Sequence, residues 1–151
     1  MKQLYDVDKL FNEAEDIRVI KESFINIASR EINYRKLREI TYEDVLDDIQ
    51  EFATDIIFRK NAENLEKISK GMRKFANFRL EKKFLIDKEV LTAAAKVSYL
   101  VHLLKNNKDT IDKYNKGIKV ESIEVPEDCK KRLKVIKKIN EEAYFYIIKS
   151  F

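Results

Sequence analysis

Two glycines and one proline are all that interrupt 151 residues, and that scarcity favours folds with few tight turns. Glycine supplies positive-φ corners and proline supplies preset turns, so a chain almost without either reads as long helices joined by short links. A charged fraction of 38% beside an apolar fraction of 44% fits the same reading, because each helix can keep one wet side and one buried side. As a single domain, a chain of this size hides roughly 70% of its unfolded surface, enough for a proper core.

The inventory is poor in chemistry. It contains one histidine, His102, one cysteine, Cys129, and no tryptophan. Metal sites usually draw several His or Cys ligands, and nucleophilic sites need a base beside the nucleophile. No glycine-rich phosphate loop is present. The expectation is therefore a non-enzymatic protein with no cofactor and no metal. A lone cysteine excludes an intramolecular disulfide and fits a reducing compartment. The first residues, MKQLYDVDKL, lack the apolar core of a signal peptide. No apolar run reaches the ~18 residues of a membrane span. A cytoplasmic location without membrane contact is expected.

Periodicity places the elements. A first helix is expected from an Asp8 cap to about Arg30, with Leu10, Ala14, Ile17, Phe24 and Ile27 as its inner stripe. Thr41 to Asp44 reads as a capping box opening a second helix, with Val45, Ile49, Phe52, Ala53 and Ile56 inward. Asn61 or Asn64 caps a third, striped by Leu65, Ile68, Met72 and Phe75. Asp87 caps a fourth, running to about Asn106 and apolar nearly all round, which marks it as the central helix. The fold class is thus all-α: a bundle of four main helices over residues 1–107. A small strand-plus-helix appendage over residues 108–151 completes it. The appendage is read as a short helix from Asp109 to Lys116 closed by Gly117, one or two short strands over Ile118 to Val125, and a terminal helix from Pro126. That last helix turns Leu133, Ile136, Ala143 and Ile147 inward.

Several residues are weighed as sites. His102 reads as a packed or surface histidine, and Cys129 as a structural thiol, although Lys130, Lys131 and Arg132 beside it could lower its pKa. Asp44, Asp48 and Glu51 share a helix face, which permits a magnesium site, but a solvated face with Asp44 as cap explains them more simply. At 100° per residue Arg79 falls within the third helix's apolar stripe, where a guanidinium needs carboxylates or a subunit contact. Phe78, Leu80, Phe84 and Leu85 point elsewhere, so either Phe78 to Leu85 meets another subunit or the third helix is itself largely buried or ends before Arg79. The strand around Val120 pairs with itself as a hairpin or makes a second subunit contact. From Glu127 onward seven basic residues face four acidic ones, so most of the net charge of +4 sits there. Lys130, Lys131, Arg132, Lys134, Lys137 and Lys138 are candidate contacts to a nucleic-acid backbone, as in a helical nucleic-acid-binding module such as a CRISPR effector small subunit.

The stretch Leu37-Arg-Glu-Ile-Thr-Tyr-Glu-Asp-Val-Leu-Asp-Asp-Ile49, followed by Asn64-Leu-Glu-Lys-Ile68 and Phe78-Arg-Leu-Glu-Lys-Lys-Phe84, resembles the helical domain of archaeal GINS subunits. Arg79, Leu80 and Lys82 occupy the places of that family's Arg-Leu-x-Lys-like segment. The resemblance spans roughly Leu37 to Leu104. It implies a homo- or hetero-oligomeric, non-enzymatic accessory factor of the DNA-replication helicase complex, bound to protein partners through helix packing. The sequence departs from the family's small β-rich domain of several strands and turn glycines, since Gly117 onward offers at most two short strands and a helix.

Overall fold

The computed structural model describes residues 2–76, 86–118 and 125–151. Every regular element among them is helical: seven α-helices and one π turn, with no strand. The expected first helix is two, α1 (Lys2–Glu13) and α2 (Ile17–Tyr34). Asp16 takes extended backbone and its carboxylate accepts the Arg18 amide at 2.8 Å, so it, rather than Asp8, caps a helix. The break resets the helical phase. Phe11, Ile17 and Ala28 are buried, while Leu10 and Ile27, expected inside, stand 68% and 62% exposed.

Local signals hold better further on. Helix α3 (Tyr42–Phe58) opens on the expected capping box, with the Thr41 amide donating to Asp44 Oδ2 at 2.7 Å and the Asp44 amide donating to Thr41 Oγ1 at 3.2 Å. Leu46, Ala53, Ile56 and Ile57 go inward, whereas Phe52 is 42% exposed. Asn61 Oδ1 accepts the amides of Glu63 and Asn64 and so caps α4 (Ala62–Ala76). A π turn, Ile86–Val90, leads into α5 (Leu91–Lys105). Asp87 lies within that turn, so it does not cap α5, whose N-cap position is Val90 with no side-chain hydrogen bond.

Helix α5 is the centre, as its apolar girth implies. Ala93, Ala94 and Ala95 have no exposed surface, which lets α3, α7 and α1 approach its backbone. The terminal helix is also two: α6 (Glu127–Ile139) and α7 (Glu141–Lys149). Asn140 explains the corner. Its Oδ1 accepts the Ala143 amide at 3.0 Å, and its Nδ2 donates to Thr92 Oγ1 at 2.9 Å and to the Lys88 carbonyl at 3.1 Å. One side chain thereby caps α7 and pins the corner to α5. Asn140→Ala is expected to lower unfolding stability by about 2 kcal/mol, the cap plus one partly buried hydrogen bond, read as a fall in the urea midpoint at constant slope.

A single hydrophobic cluster joins Phe11 of α1, Ile57 of α3, Ala94 of α5, Leu133 of α6 and Tyr146 of α7. The link from α5 to the C-terminal helices differs from expectation. Asp109 to Lys116 is not helical. Its backbone is held instead by two buried phenols: Tyr99 Oη accepts the Asp112 amide and Tyr146 Oη the Tyr114 amide, each at 3.0 Å. Amides satisfied this way do not need a helix. Gly117 sits at φ 96°, a left-handed turn residue as anticipated, but it closes a turn rather than a helix. Ile118 and Val125, the ends of the expected strand, are not in a strand, and residues 119–124, including Val120, lie outside the described residues.

Candidate functional site

Among the described residues, a dense polar constellation forms where the residue pattern gave only a hint, a single charge in an apolar helix. Lys96, on α5, is 3% exposed. Its ammonium donates to Asp8 Oδ1 at 2.8 Å and Asn12 Oδ1 at 2.9 Å on α1, and pairs with Glu142 Oε1 on α7 at 3.0 Å. The Phe11 and Tyr146 rings lie 5.6 and 5.8 Å from it. Burial pushes the Lys96 pKa down, but hydrogen bonds to the two carboxylates outweigh it, so the pKa is raised from its ordinary 10.5. A cleft of about 420 Å³ opens beside it, lined also by Lys88, Glu89, Thr92 and Asn140. All three ammonium donors are already engaged, so the arrangement ties helices together and leaves Lys96 no free donor for a ligand.

The other titratable candidates resolve into structural roles. Cys129 is buried, and burial raises its thiol pKa despite the neighbouring lysines. His102 is half-buried, and burial, with Lys108 nearby, lowers its pKa. Asp44 is held below the ordinary carboxylate value by the backbone and side-chain hydrogen bonds of Thr41. Asp47, beside it on α3, pairs with Lys105. Among the described residues no group of three His, Cys, Asp or Glu side chains is placed to hold a metal ion.

The basic residues of α6 separate into two sets. Cys129, Leu133 and Ile136 point inward and fix the helix's rotation. Lys130 pairs with Glu127, Arg132 donates to the Ile57 carbonyl at 3.2 Å, and Lys137 lies 5.3 Å from the Tyr144 ring centre. Asp128 pairs with Lys60 at 2.8 Å. Lys131, Lys134 and Lys138 remain, at steps of three and four residues on the exposed side, around Val135 at 47% exposure. Of six candidate contacts, three form one outward row.

The expected subunit contacts Phe78, Arg79, Leu80, Lys82, Phe84 and Leu85 lie outside the described residues, as does Val120. A different apolar surface is in view, on α2. Val19, Ile27 and Tyr34 are 61%, 62% and 85% exposed. At 100° and 1.5 Å per residue they fall within an arc of about 80° along about 22 Å of helix. Leu37 and Ile40, each 41% exposed, follow in the link to α3. A groove of about 350 Å³ lies there, between Ser29, Ile32 and Asn33 on one side and Thr41, Tyr42 and Glu43 on the other. No protein-family model, curated protein or solved structure matches the chain. No described helix is long and apolar enough to cross a membrane.

Proposed function

We propose that this protein is a non-enzymatic helical assembly subunit working inside the cell, and that α2 is the face on which another protein chain docks. The observation that carries the reading is the row Val19, Ile27 and Tyr34, large apolar side chains left in water on one side of one helix. Scattered exposed apolar residues are ordinary, but a row at helical spacing matches how a partner helix reads a surface. Tyr34, the most exposed of the three, has the aromatic character favoured at the centre of protein interfaces. The buried charges give the complementary argument: Lys96 and its carboxylates are consumed in holding the helices together.

The narrower reading, an accessory factor of the replication helicase, rests on the GINS resemblance of Leu37 to Leu104. It adds Phe78 to Leu85 and Val120, outside the described residues, as further contacts. Co-purification from native cells, comparing the wild-type chain with Ile27→Lys/Tyr34→Lys, tests both levels. Stoichiometric protein partners or self-association with the wild type, lost in the double variant, are expected, and helicase components among them would support the narrower reading. No partner with the wild type and a monodisperse monomer by light scattering would refute the proposal, as would full retention of partners by the variant.

A further inference from the structure

We infer that the outer face of α6 binds the phosphodiester backbone of duplex nucleic acid, without reading its sequence. The internal ion pairs make the argument. Both acidic residues of α6 are neutralised, Glu127 by Lys130 and Asp128 by Lys60. Lys131, Lys134 and Lys138 therefore present their charge on one face with no ion pair to a described residue. They are seven residue steps apart end to end, about 10 Å of helix axis, with a duplex carrying a phosphate every ~3.4 Å along each strand. Long, mobile lysine stems can reach separate phosphates from such a row.

The rest of that face narrows the partner. Val135 is the apolar residue between the lysines, and Ile139 follows at the end of the helix, each 47% exposed. An interfacial helix inserts a broad apolar side with Trp, Phe or Leu, and this face has none, which disfavours a lipid surface. Lysine can itself reach a guanine edge, but the row carries no Arg, Asn or Gln to add a second kind of base contact, and no aromatic ring on which an unpaired base could stack. Backbone contact is what such a row favours. The inference rests on α6 and stands whether or not α2 engages a partner.

Fluorescence anisotropy with a labelled mixed-sequence DNA duplex tests it. Three phosphate contacts predict a log–log salt slope near −2.7, so affinity should fall about 40-fold between 50 and 200 mM salt. Each of Lys131→Gln, Lys134→Gln and Lys138→Gln should reduce the slope by about 1, and the triple variant should bind at least tenfold more weakly at 50 mM. Lys137→Gln, which leaves the Glu127–Lys130 pair intact, should leave the slope nearly unchanged. Duplexes of unrelated sequence should bind alike. Undiminished binding by the triple variant, absence of binding at 50 mM salt, or tighter capture by vesicles containing one-third phosphatidylserine than by the duplex would each overturn the inference. Circular dichroism of the variants, altered only at exposed positions, should match that of the wild type.

Discussion

Lys96→Ala is expected to lower the stability of the fold by about 3 kcal/mol, because removing one partner of a buried ion pair strands the charges left behind. The figure is set toward the low end of that class, since the Asp8 and Glu142 side chains are 15% and 38% exposed and can recover some hydration. Lys96→Met separates the causes. Methionine replaces most of the apolar stem, so whatever loss persists belongs to the carboxylates, and the difference between the two variants belongs to packing. The raised pKa fixes the pH window. A lysine with a folded pKa above its ordinary 10.5 contributes stability that is fully present below 10.5 and fades as pH climbs through the folded value. Urea unfolding at neutral pH therefore measures the whole contribution. A loss below 0.5 kcal/mol for Lys96→Ala would mean that the triad does not bind the helices together.

Phe11→Ala should cost about 4 kcal/mol, within the range for emptying an aromatic site in a core. Phe11 is 1% exposed and meets Tyr146 edge-on at 5.1 Å and Tyr99 at 6.3 Å. The Lys113 ammonium lies 4.3 Å from its ring centre and donates to its carbonyl. Deleting the ring thus loosens the two tyrosines whose hydroxyls hold residues 112 and 114. The near-ultraviolet signal of the tyrosines should weaken as the urea midpoint falls. Because Phe11 also lies against Lys96, the two substitutions should combine non-additively, by at least about 0.5 kcal/mol in a double-mutant cycle. Strict additivity would show that the aromatic cluster and the ion triad act separately.

These two residues mark where sequence reading stopped. The capping box at Thr41, the cap at Asn61 and the buried character of α5 were legible because each signal is local: a hydroxyl three residues from a carboxylate, an amide before a helix, an apolar girth. Asp8 carried an equally good cap signature, yet it lies within α1 and faces Lys96 from 88 residues away. Nothing nearby in the chain announces that contact. The corners at Asp16 and Asn140 were missed because polar side chains make them, without the glycine or proline that usually marks a break. A shift of phase at the first corner was enough to turn Leu10 and Ile27 outward. The six basic positions of α6 were all visible in the sequence. Which three are spent internally depends on Glu127, the Ile57 carbonyl and the Tyr144 ring, and only the folded chain brings the last two into place.

The clasp around Lys96 also orders events during synthesis. Its ligands come from α1 and α7, so the most apolar of the described helices is synthesised before the segment that seals it. Until Glu142 and Tyr146 emerge, one flank of α5 has nothing to cover it, and a nascent chain stalled ahead of that point offers a sticky helix to chaperones. The cover over α5 is therefore complete only once α7 has joined it, however readily the individual helices wind.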